Sequence, residues 1–418
     1  MEQTLKSERD VRKERSRIGR FMKIHSILVI KGASNYNVVL EFANELIREW
    51  EKTCQVEVLD GSDRESYETK KKEILNGKKY DLIFSFNALA WEEEPELMKL
   101  LMQGKTIYAT QLLDHPLHHH TRLVKMTAGR CVVFVPDYNH LTYLKQYYPN
   151  ITECAFMPHG GSLGDEPVSY QQRKQKVVFM GTYISSEQIR KKLTQKGEFQ
   201  RILQEELMHQ LEEHTDWTME QAFREMIRMY QMEEAESEIP QDLAALADAD
   251  LYIRSLYREK VLRILLESGI AVDVYGDYWE QFICRNDSLL QIHPPCDFQE
   301  ALHVMENAKI VLNVMPWFKA GSHERIFNAL GCRSIVLTDE SAYINDLEQK
   351  DGIVTFDLKH LEKLPGLVQE ILEHPEESEQ QAAAGYRNCK EHHLWKKRAQ
   401  AIVLYIEQIE NDTQIKFM

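Results

Sequence analysis

The sequence lacks the short motifs that mark several large enzyme classes. Its 418 residues contain no G-x-x-x-x-G-K-[ST] phosphate loop and no G-x-G-x-x-G after the first predicted strand, so the ATPase and dehydrogenase patterns are missing. The seven cysteines are scattered without any C-x-x-C pair, which indicates a reducing compartment.

Positive charge and long apolar runs are also scarce. The formal net charge is −15, which argues against broad nucleic-acid binding, because such binding needs a basic face. No apolar run approaches the length that crosses a bilayer, and the charged N-terminus has no apolar core of a secretory signal. We therefore expect a cytoplasmic protein without a transmembrane segment.

What is present favours a two-domain α/β protein. A hydrophobic content of 43% over 418 residues is enough for large cores, and the length suits two domains plus additions. Short apolar runs alternate with helical patterns, which is typical of a doubly wound parallel sheet. The predicted strands include His25–Ile30, Val56–Leu59, Tyr80–Phe84, Thr106–Thr110, Cys131–Val135, Val177–Met180 and Val272–Tyr275.

Changes in pattern along the chain predict the domain boundaries. The segment Pro158-His159-Gly160-Gly161 is interpreted as a hinge in the cleft between two domains. The predicted parts are a charged arm (1–22), a first Rossmann-like domain (23–160), a second Rossmann-like domain (161–393) with a helical insertion (about 185–255), and a final helix (394–418).

The segment from Lys309 to Glu340 is the most informative part of the chain. Two apolar strands flank a short predicted helix, with Ser322 as its N-cap and His323, Glu324 and Arg325 in its first turn. A helix N-terminus that follows Gly321 and carries an arginine is suited to binding a phosphate. It also lies at the carboxyl edge of the sheet, where open α/β folds bind ligands.

The run GSHERIFNALGCRSIVLTD resembles the signature of the "glycosyl transferases group 1" C-terminal domain, and within it the CgeB-like spore-maturation and flagellin-type enzymes. Four further segments fit that family: Tyr108–Leu123, Phe134–Ser162, Val177–Tyr183 and Val272–Trp279. The resemblance implies a GT-B fold, in which two Rossmann-like domains face each other across a cleft. It also implies a nucleotide-sugar as co-substrate, no other cofactor, and a tail helix that crosses back to the first domain. Two positions depart from the family pattern, Arg333 in place of a usual Gly and Asn328 in place of a Glu that holds the donor ribose.

Three groups of residues are candidates for binding the donor, and each also has a purely structural interpretation. Gly181-Thr182-Tyr183 and Tyr275-Gly276 each follow a buried strand, where backbone amides face the cleft or simply end the strand. The third group is Gly321, Ser322, His323, Glu324 and Arg325. Arg325 is suited to a bidentate contact with a diphosphate; the alternative is a capped surface helix with the arginine in solvent or in an ion pair. Asn328 lies one turn after Glu324 on the same face, within reach of a ribose hydroxyl.

The segment from Asp114 to His120 is the candidate source of a general base. Inverting transfer to a hydroxyl needs a group that takes the proton of the acceptor, and Asp114 or His115 would serve. Alternatively, Asp114 is an N-cap with His115 in the first turn. The consecutive histidines 118–120 cannot all reach one ion, and the pair Asp248 and Asp250 lies in a helical stretch, so no metal site is predicted.

The sequence therefore predicts a metal-independent glycosyltransferase that acts on a hydroxyl of a protein, such as a flagellin-like protein, or of a surface glycan. The first domain would bind this acceptor, and the second would bind the nucleotide-sugar. Two alternatives stay open, a sugar-nucleotide epimerase and a binding or scaffold protein that has lost catalysis. The insertion, which carries Trp217 and Tyr230, would either cap the second domain or form a wall of the acceptor site.

Overall fold

The computed structural model describes residues 23–32, 37–62, 64–126, 129–165, 168–347 and 350–416. The predicted charged arm, residues 1–22, lies outside this part of the chain. The described residues form two six-stranded sheets in which all neighbouring strands are parallel. The predicted α/β class with two Rossmann-like sheets is therefore confirmed.

The first sheet has the strand order β2-β1-β3-β4-β5-β6. Its strands are β1 (Ser26–Lys31), β2 (Gln55–Asp60), β3 (Leu82–Phe86), β4 (Ile107–Gln111), β5 (Arg130–Val135) and β6 (Glu153–Phe156). Strand β3 begins two residues later than predicted, because Asp81 turns the chain instead of extending it. The Oδ2 atom of Asp81 accepts hydrogen bonds from the amides of His25 and Ser26, both at 2.9 Å.

The second sheet has the strand order β12-β11-β10-β7-β8-β9. Its strands are β7 (Gln175–Met180), β8 (Val272–Tyr275), β9 (Leu290–His293), β10 (Ala308–Asn313), β11 (Ile335–Asp339) and β12 (Ile353–Phe356). Read from β9, the order is that of a dinucleotide-binding sheet, in which the direction of winding reverses between the first and fourth strands. The reversal falls between β7 and β10, where ligands bind in such sheets.

Helices cover both faces of the two sheets. Those of the first domain are α1 (Val38–Trp50), α2 (Arg64–Leu75), α3 (Ala90–Glu93), α4 (Pro95–Leu101), α5 (His120–Leu123) and α6 (Tyr138–Tyr147). Between β7 and β8 lie α7 (Ser186–Lys192), α8 (Glu198–Glu213), α9 (Met219–Met229), α10 (Ile239–Ala245) and α11 (Asp248–Glu267). The remaining helices are α12 (Phe298–Glu306), α13 (Glu324–Gly331), α14 (Ala342–Asn345), α15 (Leu364–Glu373), α16 (Pro375–Asn388) and α17 (Trp395–Lys416).

The hydrophobic residues form two extended cores, and each core includes residues of both domains. One core contains one face of each sheet together with the insertion helices α8 to α11. The other contains the opposite faces together with α17. The two domains are therefore joined on both sides of the cleft by continuous apolar packing, which stabilises them as one unit.

Helix α17 supplies one of these connections by packing against α1 of the first domain. Trp395 stacks on Phe42 with ring centres 4.5 Å apart, and the indole N–H of Trp50 donates to the carbonyl of Ala399 at 2.9 Å. Pairs of stacked aromatic rings are stabilised beyond the area that they bury. Among the helices of the described residues, none combines the length and the apolar surface that a bilayer span requires.

Asp339, the last residue of β11, generates a prediction about pH and stability. Its side chain is 1% exposed, and burial raises the pKa of this carboxyl to about 7, although the amide of Met315 donates to Oδ1 at 2.7 Å. The unfolded chain loses this proton near pH 4, so between about pH 4 and 7 the folded protein binds more protons than the unfolded chain. Asp339 therefore lowers stability as the pH rises through this window.

Replacing Asp339 with Asn should remove this dependence while keeping an oxygen that accepts from the Met315 amide. The urea midpoint of Asp339→Asn, measured from pH 4.5 to 8, should fall less with rising pH than that of the wild type. Parallel curves for the two proteins would contradict the assignment of a raised pKa to Asp339.

Candidate functional site

A cavity of about 610 Å³ opens at the carboxyl edge of the second sheet. Residues predicted from the sequence to bind the donor form much of its wall: Gly181, Tyr275, Gly276, Glu324, Arg325 and Asn328. Val38 of the first domain also contacts the cavity, which therefore lies at the boundary between the domains. The cavity adjoins the reversal between β7 and β10, as expected for a ligand site in this type of sheet.

Two glycines allow the loops after β7 and β8 to approach each other closely. Gly181 and Gly276 both have φ of +147°, and the amide of Gly181 donates to the carbonyl of Tyr275 at 2.8 Å. A Cβ atom on Gly276 would lie 2.3 Å from the carbonyl oxygen of Gly181. Any other residue at position 276 would push the two loops apart and change the cavity wall.

Arg325 brings a cation to the cavity without a carboxylate partner. Its guanidinium donates to the side-chain oxygen of Asn313 at 2.7 Å, and its Cζ lies 5.6 Å from the ring centre of Phe179. The side chain is 9% exposed, and burial lowers its pKa. Both contacts are uncharged, and the neighbouring carboxylate of Glu324 partly offsets this lowering of the pKa without forming an ion pair with Arg325 among the described residues. The guanidinium can therefore still bind an anion in the cavity.

The prediction that Ser322 is the N-cap of the following helix is wrong. His323 occupies this position, and its Nδ1 accepts from the amide of Arg325 at 3.3 Å, while Glu324 Oε2 lies 3.0 Å from the same nitrogen. Ser322 is fully buried, its hydroxyl has no partner among the described residues, and its carbonyl accepts from His159 Nδ1 at 2.6 Å. The imidazole thus replaces the hydroxyl as the cap, since the Ser322 backbone is bound to the other domain.

Gly321 allows close contact between the two domains. A Cβ atom at this position would lie 2.3 Å from the carbonyl oxygen of Pro136. The buried carboxylate of Asp137 accepts from the amides of Asn139 at 2.7 Å and Ala320 at 2.8 Å. The predicted ligand residue Gly321 therefore lies against the first domain and does not line the cavity.

The other predicted donor residues differ in how they face the cavity. The Asn328 side-chain oxygen accepts from the amide of Ser162 at 2.9 Å, which leaves its N–H groups for other partners. Tyr275 stacks on His293 with ring centres 4.3 Å apart. Thr182 and Tyr183 do not line the cavity, and the hydroxyl of Tyr183 donates to Glu259 at 3.0 Å. Their roles in binding stay predictions.

The hinge residues lie against the start of α17. The amide of Gly161 donates to the carbonyl of His393 at 2.7 Å, and the Arg398 guanidinium donates to the carbonyl of His159 at 3.1 Å. A Cβ atom on Gly160 would lie 2.6 Å from Trp395. The chain thus passes between the domains in a packed and hydrogen-bonded segment.

Asp114, the first candidate base, forms an ion pair with the insertion. Arg254 of α11 donates to Asp114 Oδ1 at 2.9 Å and lies 2.7 Å from Asp250 Oδ2. Burial opposes ionisation, but Arg254 holds the pKa of Asp114 well below its usual range. An ionised carboxylate with so low a pKa is a weak base, since base strength follows the pKa.

His115, the second candidate base, uses both of its ring nitrogens. It caps a short 3₁₀ turn, in which the amide of Leu117 donates to Nδ1 at 3.1 Å. The proton therefore lies on Nε2, 3.2 Å from Oε1 of Glu220 in α9. The alternative in which Asp114 is the cap is wrong, because His115 has that role. The catalytic assignment of either residue stays a prediction.

The predicted lack of a metal site is consistent with where the side chains point. His118 contacts Asp250 at 2.7 Å, and His120 contacts the hydroxyl of Tyr148 at 2.8 Å. Asp248 turns away from Asp250 and accepts from Lys196 at 2.6 Å. Within the described ranges, no group of three or more potential metal ligands comes together. Independence from metal remains a prediction.

The insertion bridges the two domains over a second, small cavity. Trp217 lines this cavity together with His115 of the first domain and Trp317 of the second. Tyr230, in contrast, is 52% exposed on the outer surface. The insertion therefore does more than cap the second domain, because its side chains reach the first domain next to Asp114.

Sequence reasoning missed two arginines of α11. Arg254 and Arg258 lie one turn apart on the helix and both pack over Trp317, with Cζ atoms 4.1 and 5.3 Å from its ring centre. The spacing of four residues was visible in the sequence and places both side chains on one face. Nothing in the sequence indicates that this face meets the cleft.

Part of the second half of the chain matches the model of a known family. Residues 254–403 match the family described as glycosyl transferase-like. No curated protein sequence matches the chain.

Solved structures resemble the whole chain in fold. Sucrose-phosphate synthase from Thermosynechococcus elongatus has a TM-score of 0.51 at 11% identity, covering 94% of this chain and 100% of its own. HepE from Anabaena, solved with UDP and glucose, has a TM-score of 0.53 at 10% identity, covering 92% and 100%. An α-glucosyltransferase solved with UDP and a 13-mer DNA has a TM-score of 0.55 at 10% identity, covering 94% and 100%. The GT-B fold is thereby confirmed, and with the family match it indicates a transferase enzyme, as the resemblance implied.

Arg254 generates a prediction about the connection between insertion and first domain. Arg254→Met keeps apolar packing over Trp317 but leaves Asp114 and Asp250 without their cation. Removing one partner of a buried ion pair costs about 3–5 kcal/mol, and the lower end applies because 40% of the Asp114 side chain is exposed. The melting temperature should fall, and adding Asp250→Asn should restore part of the loss.

Arg263→Met on the same helix is the matched control, since Arg263 donates only to the carbonyl of Ile283 near the surface. An unchanged melting temperature in Arg254→Met, or a further drop in the double variant, would show that the ion pair does not support the bridge.

Proposed function

We propose that the protein transfers a sugar from a nucleotide-sugar donor to a hydroxyl group of its acceptor. The observation that carries the proposal is the cavity at the β7–β10 reversal, into which Arg325 brings a guanidinium that forms no ion pair with the described carboxylates, although Glu324 lies in the same wall. A diphosphate is the part of the donor that fits this charge, because guanidinium groups bind phosphate oxygens in a bidentate manner.

The first turn of α13 adds a second source of positive potential. The helix dipole places partial positive charge at its N-terminus, close to Arg325 and the cavity. During transfer, negative charge develops on the leaving diphosphate, and groups fixed around it stabilise the transition state without reorganising. This arrangement supports transfer without a metal ion or another cofactor.

The acceptor would bind on the side of the first domain. The surfaces that face Asp114 come from the first domain, the insertion and the loop that contains Trp317. We propose a hydroxyl of a flagellin-like protein or of a surface glycan as the acceptor, following the resemblance to CgeB-like enzymes. A cytoplasmic location and the lack of a nucleic-acid partner are proposed with it, the latter supported by the net charge of −15.

The alternative of an inactive binding protein rests on two departures from the family pattern, Arg333 and Asn328. The position of Arg333 outside the cavity weakens the argument from this residue. Arg333 has φ of +55°, so a non-glycine residue takes a left-handed conformation there. Its guanidinium lies 4.4 Å from the ring centre of Tyr386, and Arg333 does not line the cavity. The epimerase alternative would need two carboxylates that face the sugar. The cavity wall contains two acidic residues, Glu324 and Asp297.

Donor binding is tested with Arg325→Ala and Arg325→Lys. The loss of a hydrogen-bonded charge should weaken binding of UDP by about 1.5–3 kcal/mol, with partial recovery in the lysine variant. Calorimetry with UDP, GDP, dTDP and CMP, and with UDP-glucose, gives the affinities, first in EDTA and then with Mn²⁺ or Mg²⁺ in its place. Equal affinity in Arg325→Ala and wild type would contradict the site, and binding that requires Mn²⁺ or Mg²⁺ would contradict its independence from metal.

The candidate base is tested with Asp114→Asn, which keeps the shape of the side chain but removes its charge. If Asp114 accepts the proton of the acceptor, turnover should fall by at least about 10² while UDP affinity is unchanged. His115→Gln is the paired variant. Normal rates of transfer in both variants would exclude these two residues as the base.

A further inference from the structure

Arg258 is a cation for which the described residues provide no anionic partner. It forms no ion pair or hydrogen bond with them, and its Nε is buried and unsatisfied. Its contacts are aromatic, with Cζ 5.3 Å from the ring centre of Trp317 and 5.9 Å from that of Phe179. Burial, then Arg325 and Arg254, lower the pKa of Arg258 to about 9, so it remains protonated at neutral pH.

Its neighbour on the helix, Arg254, also has a buried Nε without a partner, but its terminal nitrogens form ion pairs. Arg254 packs over the same tryptophan but contacts two carboxylates, those of Asp114 and Asp250. Its charge is thereby compensated within the protein. Arg258, one turn further along α11, forms no ion pair with the described residues and is attracted only from a distance by Asp114 and Asp339, although a partly buried charge is costly without a direct partner.

Arg258 and Arg325 approach the end of β7 from opposite faces of the second sheet. Helix α11 shares its hydrophobic core with Phe179, whereas α13 shares the other core with Val178. Both guanidinium groups nevertheless lie within 6 Å of the ring centre of Phe179. The two cations therefore flank the point at which the sheet reverses its winding.

Arg325 and Arg258 lie at different positions along the cleft. Arg325 lines the 610 Å³ cavity beside Gly181, whereas Arg258 lies beyond it, next to Trp317 and Arg254 on the side of the acceptor domain. A nucleoside diphosphate that enters from the cavity would meet Arg325 first and Arg258 second.

We propose that Arg258 binds the distal phosphate of the nucleoside diphosphate, the phosphate that carries the sugar. This inference rests on the proposed function and assigns a second, independent cation to the same ligand. In sugar transfer, the bond between the anomeric carbon and an oxygen of this distal phosphate breaks, and that oxygen keeps the electron pair. The acceptor oxygen forms the new bond to the anomeric carbon, and its proton passes to a base or to the departing diphosphate. Arg258 would stabilise the charge that develops on the oxygen of the distal phosphate.

The test compares UDP with UMP, because UMP lacks the distal phosphate. Arg258→Met keeps the apolar contact with Trp317 and should weaken UDP binding by about 10-fold or more, the range for a charge-assisted hydrogen bond. UMP binding should change by less than about 3-fold. Arg258→Lys should recover part of the UDP affinity, and Arg263→Met, on the same helix but away from the cleft, should match wild type for both ligands.

The outcomes separate the two proposals. If wild type prefers UDP over UMP and Arg258→Met keeps that preference, the role of Arg258 is overturned while the donor site stands. If Arg258→Met weakens UDP and UMP equally, Arg258 affects the shape of the site and not the distal phosphate, which also overturns the inference. If wild type binds none of UDP, GDP and dTDP, the proposed function itself fails. Near-UV and far-UV circular dichroism of each variant verify that the proteins compared are folded.

Discussion

What the cleft can bind depends on arginine side chains that form no ion pair within the protein. Arg254, Arg258 and Arg325 come close together at the carboxyl edge of the second sheet, and among the described residues Arg254 alone of the three forms ion pairs. Charges of one sign held close together in a partly buried place raise the free energy of the folded protein. Uncharged contacts with Asn313 and Phe179 reduce this cost but leave the field of the cations directed at the cleft. An anionic ligand would bind there by relieving repulsion as well as by forming hydrogen bonds.

The same region is held in place by connections on both sides of the cleft. On one side, the insertion contacts the first domain through Asp114 and His115. On the other, α17 packs against α1, and between them Gly321 lies against Pro136. All three guanidinium groups belong to the second domain, so movement between the domains would change their distance from Asp114 and the other groups of the first domain, and not their spacing from one another.

The sequence predicted the parallel sheets and six residues of the cavity wall because these depend on local patterns. A buried apolar run followed by glycine, as at Val177–Gly181, fixes both a strand and the loop that must approach a ligand. The N-cap at Ser322 was predicted wrongly because its backbone is bound to His159, a contact over 163 positions that no local pattern reveals. Arg258 was missed for the same reason, since its site is formed by helix packing and not by neighbours in sequence.

The contacts of Asp114 bear on how the proposed transfer would proceed. An aspartate whose pKa is held low by Arg254 accepts a proton poorly, and the lone pair of His115 Nδ1 already accepts from Leu117. A mechanism that relies on a strong base would first have to break one of these contacts. A mechanism in which the diphosphate departs first and the proton is transferred afterwards would keep both contacts intact. The distribution of charge in the cleft favours the second course, because the cations face the position of the leaving group and stabilise the charge that forms there.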